Sequence, residues 1–243
     1  MIHYHGSPLS GKKEQAARFY AGRHAFVSFA NPQDLPIIAE VSQSFALDNG
    51  AFSSWSSGER VDYEGYVDWC AEWMRHPGFD WAVIPDIIDG SPEENDEYIS
   101  RWPSDIQGVP VWHLHESTDR LLNLANSWPR IALGSSGAYR SPGTDIWWGR
   151  VGDAMSAICD DSGRPITRLH GLRMLNPEVF RYLPLASADS CNAAINSGSL
   201  SRFGMYTPPS SAQRAEVIAS RIEMINSSPV WAGAKQEKLF KEK

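Results

Sequence analysis

The chain has 243 residues, which suits one large domain or two small ones, and its composition of 42% hydrophobic and 21% charged residues excludes a disordered chain, a collagen and a coiled coil. A net charge of −7 gives no general signal for binding nucleic acid, so any such function must come from local features. The 3 cysteines lie far apart, which excludes a disulfide framework and a structural zinc site and indicates a reducing compartment.

Short apolar runs recur along the chain, and each ends in small or polar residues. Runs of this kind, partly β-branched or aromatic and bounded by Gly, Pro, Asn or Asp, predict buried β-strands. Seven strands are predicted in this way, at residues 24–30, 44–50, 80–87, 108–115, 130–136, 166–172 and 183–190. An eighth strand is predicted at 202–206. The opening HYHGSP, residues 3–8, has two alternative roles, either to cap the barrel floor or to line a site.

Stretches with helical spacing lie between these strands. Tyr63, Tyr66, Cys70 and Trp73 follow the spacing of one apolar helix face, and further helices are predicted at 93–102, 118–127, 147–159 and 177–182. Strands that alternate with helices predict a parallel sheet covered on both faces. Eight such units in this length fit an α/β fold, a single (β/α)8 barrel of the TIM type with a shortened last unit, better than an open sheet.

The C-terminal part of the chain has a different pattern. Ala215, Ile218 and Ile222 share one face of a helix predicted at 210–226, which SSPVWAGA ends and the charged KQEKLFKEK follows. We therefore expect a catalytic barrel domain at residues 1–208, with a C-terminal helix and a charged tail at 209–243.

Carboxylates gather where the predicted strands end. Asp48, Asp86 and Asp189 each follow a strand, and in a parallel barrel the loops after the strands converge at one mouth. A single Asp at such a junction often caps the next helix, but three beside histidines and glycine turns are harder to explain as caps. They predict an active site with paired carboxylates, one acting as nucleophile or base and another as acid or binding group.

Glycine turns and two histidines accompany the carboxylates. Asn49-Gly50 and the turn at 134–137 let backbone amides approach a flat or anionic ligand closely. His113 and His115 lie on one predicted strand, and we expect only one of them to face the barrel interior. The sequence has no phosphate loop and no GxGxxG, and it has few inward histidines for a metal, so neither a cofactor nor a metal ion is predicted.

Aromatic and basic residues near these motifs suit a nucleic-acid substrate. Phe52, Trp55 and Tyr139 follow the strand-end motifs, where they could stack on a heterocyclic base. Contacts to phosphate would fall to local arginines. The candidates are Arg140, Arg150, Arg168, Arg173 and Arg202.

The order of the strand-end motifs resembles that of the tRNA-guanine transglycosylase superfamily over roughly residues 24–195. In that family a barrel strand ends in a D-S-G-G-F-Q type motif, which FALDNGAFSSW matches with Asp48 and Phe52. DWAVIPDII offers Asp86 for the aspartate that reads the guanine edge. The family's D-x-F-D-C segment falls on SADSCN, so the resemblance implies that Asp189 is the nucleophile of a covalent intermediate and that Asp48 handles the proton of the incoming base.

Weaker matches to the same family lie at the remaining strand ends. WHLHES stands where the family has its I-V-Q-G polar group, ALGSSGAY matches its G-G-L turn, and RLHGLRML matches its M-G-V-G strand. The resemblance implies that these segments help to bind the base. The substrate-binding residues that it implies are Asp86, His115, Gly134, Ser135, Phe52 and Gly171.

Two departures from the family affect the expected substrate. The chain lacks the cysteine-and-histidine zinc site of the tRNA enzymes, and Asn192-Ala193-Ala194 replaces the P-T-R segment after their nucleophile. In this the chain is most similar to the reduced phage and bacterial DNA-guanine transglycosylases of the DpdA type. The resemblance implies base exchange in DNA rather than tRNA, a free 7-deazaguanine as second substrate, and no cofactor. Members often dimerise, which leaves a homodimer open here.

The sequence shows neither a membrane span nor a signal peptide. No apolar run reaches the roughly 18 residues needed to span a bilayer, and the start MIHYHGSPLSGKK lacks the apolar centre of a signal peptide. We expect no membrane partner and a cytoplasmic location in a bacterial or phage-infected host cell. The alternatives are a carboxylate-dependent glycoside hydrolase, a tRNA-directed guanine transglycosylase, and a non-catalytic barrel that binds a base or nucleic acid.

Overall fold

The computed structural model describes residues 1–9, 13–198, 203–204 and 206–233. Within these ranges, nine strands in one sheet alternate with helices, and every strand pair is parallel. The strands are β1 Ile2–Gly6, β2 His24–Ser28, β3 Ser44–Asp48, β4 Phe79–Val83, β5 Gly108–Val109, β6 Val111–His113, β7 Arg130–Gly134, β8 Arg168–Gly171 and β9 Ser187–Ser190. The predicted α/β barrel of the TIM type is confirmed.

Most helices lie in the connections between the strands, and the last two of the described part follow β9. Two of them, Pro32–Asp34 and Gly137–Tyr139, are short 3-10 helices. The α-helices are α1 Lys13–Tyr20, α2 Leu35–Val41, α3 Ala51–Ser57, α4 Tyr63–Trp73, α5 Pro92–Arg101, α6 Thr118–Ser127, α7 Asp145–Ile158, α8 Pro177–Phe180, α9 Asn192–Asn196 and α10 Ser211–Glu223.

The barrel closes through the first strand of the chain. Strand β1 pairs with β2 on one side and with β9 on the other, so the opening segment fills the position between the first and last predicted strands. The prediction of the closing strand at 202–206 was wrong: Phe203, Gly204 and Tyr206 are not in a strand, while Arg202 and Met205 lie outside the described residues. With β1 already bonded on both edges, the sheet has no free edge there for another strand.

One predicted strand is divided in two by a proline. Pro110 separates β5 from β6, and a proline has no N–H to donate to a strand ladder. Its carbonyl oxygen still accepts a hydrogen bond from the Ala132 amide at 2.9 Å, so the chain continues alongside β7. Strands β5 and β6 therefore occupy one strand position between β4 and β7. Counted in this way, the described part of the chain forms a barrel with eight strand positions.

The C-terminal helix packs on the barrel as part of its outer layer. Helix α10 begins after a capping box in which Ser210 accepts from the Gln213 amide and the Gln213 side chain accepts from the Ser210 amide. Its buried face contacts α1 and α9, and Arg18 of α1 donates to Glu216 at 2.7 Å. The predicted charged tail at 235–243 lies outside the described residues.

The barrel interior separates an apolar centre from polar ends. Tyr4, Phe26, Trp81, Val111 and neighbouring inward residues form one buried cluster, while two larger clusters fill the layer between strands and helices. Parallel strands that are buried on both faces place their polar side chains at the strand ends, and the carboxyl ends form the mouth described below. Over the described ranges, no helix has the length and apolar character required to cross a membrane.

Candidate active site

Three predicted carboxylates meet at the mouth of the barrel. Asp48 is the last residue of β3, Asp189 lies in β9, and Asp86 follows β4. The negative charges of Asp189 and Asp86 both raise the pKa of Asp48, which places the three groups within one electrostatic environment. All three carboxylates therefore belong to the carboxyl ends of strands that open on the mouth.

Asp86 is buried, and both of its oxygens are held. The Asn49 side-chain amide donates to Oδ1 at 2.7 Å, and the Nε2 of His113 lies 2.9 Å from Oδ2. Asn49 is itself fixed, because its amide also donates to the Ile84 carbonyl and its oxygen accepts from the Ala51 amide at the start of α3. Only 8% of Asp86 is exposed, so this carboxylate is pre-oriented rather than free to rotate.

His113 is a buried residue that the sequence prediction passed over in favour of His115. Burial lowers the pKa of His113, but the hydrogen bond and negative charge of Asp86 outweigh this effect and raise the pKa above its usual 6.5. The Nδ1 of His113 has no hydrogen-bond partner among the described residues. An added Cβ at Gly134 would lie 2.7 Å from this nitrogen, so the glycine makes room for the ring.

His115 lies beside His113 instead of on the opposite face. The two imidazole rings are 5.6 Å apart and inclined by only 20°. The expectation of opposite faces misapplied the strand period: side chains two residues apart on a strand point to the same face, and the neighbouring rings agree with this. The exposed His115 is held by Ser136, whose hydroxyl lies 2.8 Å from its Nδ1.

Asp189 is buried, and one of its two oxygens is held by two groups from the neighbouring β8 unit. The Nε2 of His170 lies 3.2 Å from Oδ1, and the backbone amide of Arg173 donates to the same oxygen at 2.9 Å. Among the described residues, no hydrogen bond reaches Oδ2. The carboxylate thus has a fixed oxygen and an oxygen available to a substrate.

Asp48 is the carboxyl group most suited to hold a proton near neutral pH. Burial, followed by the charge of Asp189, raises its pKa from 3.8 to about 7. The Ser28 side chain and the Gly50 amide, which donates to Oδ2 from 3.2 Å, oppose this shift by stabilising the charged form. Asp48 can therefore act as either proton donor or proton acceptor at physiological pH.

The rim of the mouth carries an aromatic and a cationic side chain. Phe52 on α3 is 50% exposed, and the guanidinium carbon of Arg173 lies 4.5 Å from the centre of its ring. Arg173 has a φ of 59°, the one positive value among the described residues other than glycine. Its backbone conformation thus presents the amide to Asp189 and the exposed side chain to the rim.

Two predicted binding residues have side-chain environments set by packing. The Ser135 hydroxyl accepts a hydrogen bond from the Trp147 indole at 2.9 Å and is turned towards α7. An added Cβ at Gly171 would lie 2.9 Å from side-chain atoms of Leu185 and Met174, so this glycine allows close packing. A contact from Gly171 to a substrate would have to use the backbone, whereas the Ser135 hydroxyl still has its own O–H to donate.

The predicted phosphate-binding arginines lie in different places. Arg150 donates to the carbonyl oxygens of Leu114 and Glu116, and Arg168 begins β8 at the end of the barrel opposite the mouth. Arg140 is exposed in the connection after β7, and Arg202 lies outside the described residues. Arg173 is the candidate that reaches the rim beside Asp189.

Comparisons with known proteins support the fold. The sequence matches no family model and no curated protein. A protein of Aquifex aeolicus VF5 is similar with a TM-score of 0.55 and 13% identity over 91% of this chain and 90% of that one. A candidate fructose-1,6-biphosphate aldolase of Coccidioides immitis is similar with a TM-score of 0.51 and 11% identity, covering 91% and 89%. At these identities the likeness shows the barrel fold alone.

Proposed function

We propose that this protein is a base-exchange transglycosylase that replaces guanine in a nucleic acid, with DNA favoured, by a 7-deazaguanine. The observation that carries the proposal is the meeting of Asp48, Asp86 and Asp189 at one mouth, with a pKa of about 7 for Asp48. Breaking a glycosidic bond needs both a carboxylate to stabilise the sugar and a carboxyl group to transfer a proton.

Asp189 is the nucleophile in this proposal. Its Oδ2 forms a bond to C1′ of the target nucleotide while the bond from C1′ to guanine breaks and its electron pair leaves with the base. A ring nitrogen of the incoming deazaguanine then attacks C1′ and releases the carboxylate. The hydrogen bonds of His170 and Arg173 to Oδ1 support this role, because they leave Oδ2 to react.

Asp48 balances the protons of the two steps. In its protonated form it gives a proton to the departing guanine, and it takes back the N–H proton of the incoming deazaguanine. The pKa of about 7 supports this cycle, because a group near neutrality gives and accepts a proton with similar ease. After each exchange Asp48 is protonated again and Asp189 is a free carboxylate, so the enzyme returns to its starting state.

Asp86 and His115 are the proposed groups that recognise the base. Guanine presents N–H donors on one edge, which the buried Asp86 carboxylate can accept, next to a carbonyl oxygen that needs a donor. His113 holds this carboxylate in place from Nε2, and the same contact raises the pKa of His113. The exposed His115, whose ring lies beside that of His113, is the proposed donor to the carbonyl oxygen.

The rim supports contact with an extruded nucleotide. A target base inside a duplex must leave the stack, which favours single-stranded or distorted DNA. Phe52 offers a half-exposed ring to a base, and Arg173 offers a cation to phosphate. Because the net charge is −7, binding should be weak and should fall further as salt rises.

Other barrel chemistries fit the side chains less well. An aldolase that works through an imine needs an active-site lysine, and the sequence contains none between Lys13 and Lys235. A retaining glycoside hydrolase would use the same acid and nucleophile pair as proposed for Asp48 and Asp189. In such an enzyme Asp86 and His115 would bind sugar hydroxyls instead of a base, so the products of the assay below separate the two chemistries.

The direct test is release of labelled guanine from DNA and from tRNA, with 7-cyano-7-deazaguanine supplied. The wild type should release label from DNA, Asp189→Asn should release none, and the exposed control Asp105→Asn should match the wild type. Release from tRNA alone would retain the chemistry and replace the substrate. No release from either, together with cleavage of nitrophenyl glycosides, would replace base exchange with glycoside hydrolysis. Binding of the base without any turnover would indicate a non-catalytic barrel.

A further inference from the structure

A histidine lies in the barrel interior directly beneath the carboxylates. His170 is fully buried on β8, and its ring makes an edge contact with Trp81, with 4.7 Å between ring centres. Phe26 and Tyr4 pack against the same ring with centre distances of 5.4 and 5.9 Å. Aromatic contacts on several sides leave His170 little freedom to change its orientation.

Both ring nitrogens of His170 bond to residues of the adjacent strand. Ser187, its register partner on β9, places its hydroxyl 2.9 Å from Nδ1, and Asp189 places Oδ1 3.2 Å from Nε2. Side chains two residues apart on a strand point the same way, so one imidazole can span both. This arrangement uses the full hydrogen-bonding capacity of the ring.

The partners of the two nitrogens determine which one carries the hydrogen. Burial lowers the pKa of His170, which keeps the ring neutral at pH 7 with a single N–H. A carboxylate accepts hydrogen bonds only, whereas a serine hydroxyl can also donate. The hydrogen therefore belongs on Nε2, facing Asp189, and Nδ1 accepts from Ser187.

We propose that His170 is a positioning residue, which donates from Nε2 to Oδ1 of Asp189 and so fixes which carboxylate oxygen attacks C1′. The assignment rests on the proposed base exchange for the identity of the reaction. His170 supplies a side-chain donor from the barrel interior, and Arg173 supplies a backbone donor from the loop above. Two donors from different directions on one oxygen prevent rotation of the carboxylate and hold Oδ2 towards the mouth.

The kinetic test compares two amides that differ in where their N–H lies. In His170→Gln the side-chain nitrogen can occupy the place of Nε2 and still donate to Asp189, whereas in His170→Asn it lies near the place of Nδ1. We expect kcat for exchange to fall about 100-fold in His170→Asn with little change in KM for the free base, because the nucleophile is misplaced while base contacts remain. His170→Gln should recover most of the lost kcat.

Matched controls separate positioning from folding. His5 is equally buried but bonds outward to Glu223 on α10 at 2.9 Å, so His5→Gln and His5→Asn should keep wild-type kcat. Thermal unfolding of all four variants shows whether each is folded at the assay temperature. Equal kcat for the Gln and Asn variants at position 170 would overturn the proposal.

A second measurement does not depend on activity. Nitrogen NMR of labelled histidine in the wild type should show His170 as the neutral ring protonated on Nε2, assigned by loss of its signals in His170→Gln. A ring protonated on Nδ1, or on both nitrogens at pH 7, would overturn the proposal. The Nε2–H form in a protein that exchanges no base would instead refute the proposed function while the contact to Asp189 stands.

Discussion

Replacing Asp48 by Asn should stabilise the fold at alkaline pH while abolishing exchange. The pKa of Asp48 is raised from 3.8 to about 7, so between these pH values the folded state keeps the carboxyl proton that the unfolded chain has lost. Stability therefore falls as pH rises from about 4 to about 7 and then levels off, and the shift of roughly 3 units corresponds to about 4 kcal/mol.

Asn at position 48 has nearly the shape of a protonated Asp and does not ionise. The variant should match the wild type near pH 4 and exceed its free energy of unfolding by up to about 4 kcal/mol at pH 8. Urea unfolding of both proteins across this range measures the difference, and the exposed Asp105→Asn should show none. Exchange by the wild type should decline as pH rises through about 7, because the proton donor is lost.

A difference between the wild type and Asp48→Asn that is the same at pH 4 and pH 8 would refute the reasoning. It would mean that the side chain is charged or neutral equally in the folded and unfolded states. The proton cycle assigned to Asp48 would then lose its physical basis, even if the variant were inactive.

Two further predictions concern the residues around the carboxylates. Gly134→Ala would place a Cβ 2.7 Å from Nδ1 of His113, so exchange should fall at least tenfold. The control Gly149→Ala lies in open space on α7. It should keep full activity and raise the free energy of unfolding in urea by up to about 1 kcal/mol. Equal activity of the two alanine variants would contradict the assigned role of His113. Arg173→Gly should relieve the strain of a positive φ, by about 1 kcal/mol, yet raise KM for DNA because the cation at the rim is lost. An unchanged KM in a steady-state assay at low salt would remove Arg173 from the DNA contact.

The sequence alone was sufficient for most of the barrel. Strands buried on both faces need continuous apolar runs, and polar residues are tolerated where those runs end, so β2, β3 and β7 could be located without a structure. The same pattern failed for β1, because IHYHG carries two histidines within five residues and lacks a continuous apolar run. Its place in the barrel depends on pairing with β2 and β9, which are distant from each other in sequence.

Some residues of the candidate site could be found from the sequence, and others only from the structure. Asp48, Asp86 and Asp189 could be found in the sequence, because each ends or follows an apolar run and the ends of parallel strands converge. The positions of the supporting groups could not be found there. Ser135 turns its hydroxyl to Trp147, and only the folded structure shows that His113, rather than His115, bonds to Asp86.

Sequence pattern thus determined the class of fold and the carboxylates at the mouth, because both follow from the local order of apolar and polar residues. Tertiary structure decided the closing strand, the proton held by Asp48 and the histidines that orient Asp86 and Asp189. The pKa of a carboxyl group and the orientation of its oxygens depend on burial and on neighbours from other strands. Those neighbours are fixed only when the barrel closes.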